Sequence, residues 1–88
     1  MKKQAKILIV DDEPNILLSL DFLMRRGGHQ VFIARNGSEA MELLNSTQLD
    51  LVLLDIMMPD VDGYDICKFI KSSPNHAQTK VIFLSANT

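Results

Sequence analysis

Four short aliphatic runs divide the chain: residues 7–10, the stretch Gln30–Ala34, Leu51–Asp55 and residues 81–84. Runs of large apolar residues without polar alternation suit strands buried on both faces, the habit of parallel sheets flanked by helices. Between them the period changes. After Asp11-Asp12-Glu13-Pro14, the apolar residues Ile16, Leu17, Leu20, Leu23 and Met24 recur at helical spacing and form one stripe. Pro14 suits a first helical position, where no amide hydrogen is needed, and Arg25 and Arg26 favour the negative end of the helix dipole before Gly27-Gly28 stops it. Asn36-Gly37-Ser38 supplies a turn and cap for a second helix marked by Ala40, Met41, Leu43 and Leu44, ending near Asn45-Ser46. A third helix is expected over residues 64–72, with Ile66, Cys67, Phe69 and Ile70 on its buried side, and residues 73–79 form a surface connection.

Strand and helix alternate from end to end, and right-handed crossovers turn that alternation into a three-layer parallel sheet. Two of the runs end in acid: the first in Asp11-Asp12, the third in Asp55. If those strands are neighbours, the chain reverses direction between them, and the order 2-1-3-4 satisfies this. The cleft then opens at the carboxyl ends, where open parallel sheets bind ligands.

Three carboxylates at one rim need compensation. Two like charges about 4 Å apart repel by roughly 4 kcal/mol at an effective dielectric of about 20. A shared proton or a cation relieves that repulsion. Hard oxygen ligands in an acidic cleft favour magnesium, which keeps several waters and accepts substrate phosphate oxygens. The cluster therefore points to phosphate chemistry.

Composition narrows the classes. The 88 residues, 47% hydrophobic, suffice for one core and not two. A net charge of -2 gives no basic face, so nucleic-acid binding by this segment is not expected. One cysteine, Cys67, cannot form an internal disulfide and is read as helix packing. The apolar stretch 7–10 is too short for a signal-peptide core or a membrane span, so a cytoplasmic location without a membrane partner is expected.

Ile7-Leu8-Ile9-Val10-Asp11-Asp12-Glu13, Leu53-Leu54-Asp55-Ile56-Met57-Met58-Pro59, Asp62-Gly63 and Phe83-Leu84-Ser85-Ala86 together resemble the receiver domain of two-component response regulators. The match spans nearly the whole chain, and four motifs in the right order are specific where any one would be weak. The resemblance implies a flavodoxin-like α/β sheet of order 2-1-3-4, with residues 1–88 as a single, partial receiver domain. The family pattern continues past Ser85-Ala86 with a helix, a fifth strand ending in an essential lysine, and a last helix, and these 88 residues do not carry that final helix-strand-helix.

By the same resemblance Asp55 is the phosphoacceptor, taking a phosphoryl group from a phosphohistidine on a kinase or phosphotransfer partner. Asp12 and Asp55 would bind Mg2+ directly, with the backbone carbonyl of Met57 as a further ligand and Asp11 acting through water. Ser85 would contact a phosphate oxygen. Such a module is not an enzyme; it catalyses at most its own phosphotransfer and dephosphorylation.

Each residue also has a plainer reading: Asp11 and Asp12 as caps of the first helix, Asp60 and Asp62 as solvated loop acids, Ser85 as a local backbone partner. The alternative function is a truncated receiver-like fragment acting in protein association without competent switching. It is motivated by strand four, whose exposed edge would favour self-association or exchange of elements with a second copy. A metal-dependent phosphatase using Asp55 is disfavoured, because Met57 stands where a second acid would be needed.

Overall fold

The computed structural model describes residues 4–58 and 63–84. The elements follow in the order β1 (Lys6–Val10), α1 (Pro14–Arg26), β2 (Gln30–Ala34), α2 (Gly37–Ser46), β3 (Leu51–Asp55), α3 (Gly63–Ser72), a single 3-10 turn at Pro74–His76, and β4 (Lys80–Leu84). All four strands are parallel and lie in the order β2-β1-β3-β4, as the acidic strand ends had required.

Alternation along the strands builds two cores. Leu8, Val10, Val52 and Leu54 point to one face, where Ala40 and Leu44 of α2 and Ile66 and Ile70 of α3 cover them. Ile7, Ile9 and Leu53 point to the other, against Leu17 of α1 with Leu20 and Met24 beside it. Burying each large aliphatic side chain contributes about 1.5–3 kcal/mol, so the central strands anchor both layers.

The helix ends follow local chemistry. The Asn36 side chain accepts from the Glu39 amide at 2.8 Å, while Glu39 Oε1 accepts from the Arg35 amide at 2.8 Å, a reciprocal cap for α2. Gly28, at φ +90°, turns the chain after α1 into a conformation that side-chain-bearing residues rarely adopt.

Several expectations shift. The stripe of α1 is narrower than its spacing suggested: Ile16 and Leu23 are exposed, and only Leu17 is fully buried, because among the described residues one helix alone covers this face. The connection at 73–79 is not merely superficial, since His76 and Thr79 are buried. Met58 belongs to the core, whereas Met57 is 67% exposed. Cys67 is half-buried on α3. β4 forms the outer edge of the described sheet, as expected of strand four, with Ile82 52% exposed. No helix among the described residues is long and apolar enough to cross a membrane.

Candidate functional site

The parallel register of β1 and β3 runs from Ile7↔Leu51 to Val10↔Leu54, so the next step sets Asp11 opposite Asp55. The Asp11 amide still donates to Ala34 O at 3.1 Å, which keeps the strand course through the first acid. Asp55 in turn pairs with Leu84 of β4. The apolar runs therefore deliver their terminal carboxylates to one place.

One ligand oxygen each from Asp11, Asp12 and Asp55 lies within 4.8 Å of the others. Among the described residues this is the one group of three or more potential metal-ligating side chains drawn so close. Asp11 and Asp55 are buried, 2% and 8% exposed, while Asp12 faces solvent. A small cleft of about 240 Å3 opens over them, lined also by Glu13, Ile16, Met57 and Leu84.

Backbone amides orient two of the acids. Asp11 Oδ1 accepts from the Glu13 amide and Asp55 Oδ1 from the Met57 amide, each at 2.9 Å. The bond to Glu13 places Asp11 at the start of α1, where the helix dipole favours negative charge. Glu13 itself caps α1 through its backbone with no side-chain hydrogen bond, so the plain reading of the aspartates as caps accounts for Asp11 in part and not for Asp12.

Burial pushes the Asp11 carboxyl above the usual carboxylate range; the bond from Glu13 opposes this, and the nearby Asp55 and Asp12 carboxylates add to the rise. Among the described residues, no lysine or arginine side chain lines this cleft. Lys80 stands at the opposite end of the sheet, paired in register with Leu51.

The residues fit a divalent ion. Magnesium holds oxygen ligands at about 2.0–2.1 Å, so ligands on opposite sides of one ion stand roughly 4.2 Å apart. Three carboxylate oxygens within 4.8 Å of one another need little adjustment to share it. Met57 lies at the same rim, with its side chain in solvent.

Of the residues named from the sequence, Asp11, Asp12, Asp55 and Met57 are brought together. Ser85, with Pro59, Asp60 and Asp62, lies outside the described residues. Sequence reasoning missed Ile16 and Leu84 as walls of the cleft. Ile16 was assigned to the helix stripe, and only the register Asp55↔Leu84 reveals the second wall.

Comparison with known proteins agrees with this architecture. The sequence profile of the response regulator receiver domain matches residues 7–88. The probable transcriptional regulator ycf27 of Cyanidium caldarium is 39% identical over 85 residues, covering 97% of this chain and 33% of its own length. The chain thus spans about a third of the length of the curated relatives it matches. The N-terminal domain of a response regulator receiver protein from Methanoculleus marisnigri JR1 superposes with a TM-score of 0.86 at 40% identity, covering 97% of this chain and 69% of that one. The receiver domain of the sensor histidine kinase PA1611 from Pseudomonas aeruginosa PAO1, described with a magnesium ion coordinated in its active site cleft, superposes with a TM-score of 0.86 at 27% identity, covering 97% of this chain and 70% of that one.

Proposed function

The chain belongs to the response regulator receiver domain family, and from that membership we propose that Asp55 is its phosphoacceptor, charged by a histidine kinase or phosphotransfer protein. Receiver domains serve two-component signal transduction, and the proposed setting is cytoplasmic. One observation carries the assignment: Asp55 is the one clustered carboxylate that is itself a strand residue, closing β3 between β1 and β4, with a backbone donor from Met57 fixing one oxygen.

The chain's own groups divide the work. A carboxylate oxygen of Asp55 attacks the phosphorus; the new O–P bond forms as the donor's N–P bond breaks, and the departing imidazole keeps the bonding pair and takes a proton from water. The product is an acyl phosphate. The Met57 amide, donating to Asp55 Oδ1, holds that oxygen and leaves the other to react. Asp12 and Asp55, with the Met57 carbonyl, would hold Mg2+, and Asp11 would act through water. The ion would supply charge neutralisation for the acids and the incoming phosphoryl group. Ser85 is proposed to meet a phosphate oxygen. The chain is then a phosphorylation substrate, catalysing at most its own phosphotransfer and dephosphorylation.

Incubation with magnesium and acetyl phosphate tests this reading. Mass spectrometry should find one phosphoryl group, labile to hydroxylamine, absent without the metal and absent from Asp55→Asn. An unlabelled parent chain would refute it.

A second reading, association of copies through β4, has one observation in its favour: Ile82 and the outer backbone edge of β4 stand uncovered among the described residues. Sedimentation at rising concentration should then show a dimer that Ile82→Lys dissolves. A strictly monomeric parent would remove this reading and leave the first untouched.

A further inference from the structure

The start of α3 touches both chain segments that flank Asp55. Gly63 packs so closely on Ile56, the residue after Asp55, that a Cβ added there would lie 2.9 Å from Ile56 Cγ2 and 3.0 Å from Ile56 Cα. The next residue, Tyr64, sets its ring 5.3 Å from that of Phe83, inclined by 52°. Phe83 stands opposite Leu54 in the sheet, and the following Leu84 stands opposite Asp55 and walls the cleft. One helical turn is therefore fastened to the turn after β3 by the absence of a side chain and to β4 by an aromatic pair.

From this juxtaposition we infer that Tyr64 is a positioning residue for the Asp55 site, acting through Phe83 to fix the end of β4 against the first turn of α3. The inference rests on the reading of Asp55 as phosphoacceptor. Core packing does not account for Tyr64, which is 57% exposed. Its contact with Phe83 braces the last step of β4, beside the strand end that presents Asp55. Gly63, one residue earlier, rests on Ile56, within the turn whose Met57 amide holds the acceptor oxygen. Loosening α3 from β4 is thereby passed to the hydrogen bond that orients Asp55. The contact assigned to the brace is that of the ring, so phenylalanine, which keeps the ring, should serve in its place.

The test compares the parent with Tyr64→Ala and Tyr64→Phe, at a temperature where circular dichroism shows all three folded. Two quantities are read: the rate of labelling by acetyl phosphate with magnesium, and the amide resonance of Met57 in 1H–15N spectra. A tilted aromatic pair is worth enough to alter a rate by about threefold to tenfold. Tyr64→Ala should slow labelling by that factor and displace the Met57 resonance, and Tyr64→Phe should restore both. A Tyr64→Ala chain with an unmoved Met57 amide and an unchanged rate would overturn the inference, and so would a Tyr64→Phe chain as impaired as Tyr64→Ala. If the parent takes no label, the acceptor reading fails, and the Met57 resonance alone decides whether Tyr64 positions this turn.

Discussion

The two ends of this sheet handle polar groups in opposite ways. At the amino ends, polar side chains find partners inside the molecule. His76 Nε2 donates to Leu44 O at 2.7 Å, Thr79 Oγ1 donates to Leu49 O at 2.6 Å, and Asp50 Oδ2 accepts from the Lys6 amide at 2.8 Å. The Gln48 side chain likewise donates to Asn75 O. These bonds tie α2, β3 and the 3-10 turn into one block. At the carboxyl ends, Asp11, Asp12 and Asp55 face one another with backbone donors for two of them and, among the described residues, no cationic side chain lining their cleft. The first end is closed by its own hydrogen bonds, and the second is left open to an ion. Polar burial with an internal partner is architecture, whereas like charge gathered without one is the mark of a site.

Substitutions that separate the two ends sharpen this contrast. The largest effect belongs to Asp55→Asn, which should abolish phosphoryl uptake while keeping the fold, as mass spectrometry and circular dichroism would record. Retained labelling would erase the distinction. At the amino ends Thr79→Val keeps the shape and removes the donor to Leu49 O, leaving a buried carbonyl unpaired. That should cost about 1–3 kcal/mol in urea unfolding. Uptake at Asp55 should be unaltered while the chain stays folded.

Asp11→Asn, back at the carboxyl end, should move two quantities in opposite directions. Without divalent ion it relieves a buried charge beside Asp55, so stability should rise. With magnesium, affinity should fall. The ion itself should also stabilise the parent: at ten times its dissociation constant, magnesium should add roughly 1.4 kcal/mol. Matched ionic strength with sodium chloride should not reproduce this in thermal melts.

Much of this organisation was legible in the sequence because it depends on residue type and order. Unbroken aliphatic runs ending in Asp11-Asp12 and Asp55 fix which strands are central, and the need to bring those acids together fixes the sheet order. The capping role of Asn36 was legible for the same reason, since it is local. What escaped depends on distant partners. His76 and Thr79 sit in a polar stretch, and their burial follows from carbonyls some 30 residues earlier in the chain. The exposure of Ile16 and Leu23 could not be read from their spacing, because periodicity gives a helix an apolar face without saying how wide a surface will meet it. Tyr64 and Phe83 gave no local signal, and only the meeting of α3 with β4 pairs them.

The central claim is that three carboxylates from two strand ends share one divalent ion. Its most direct test is a magnesium titration of the parent chain followed by 1H–15N resonances at constant ionic strength. The expected result is a single saturable transition with displacements concentrated at residues 11–13 and 55–57, absent from Asp55→Asn, and with the amides near Thr79 still. Resonances at Asp11, Asp12 and Asp55 that stay fixed while magnesium is raised to saturating levels would contradict it.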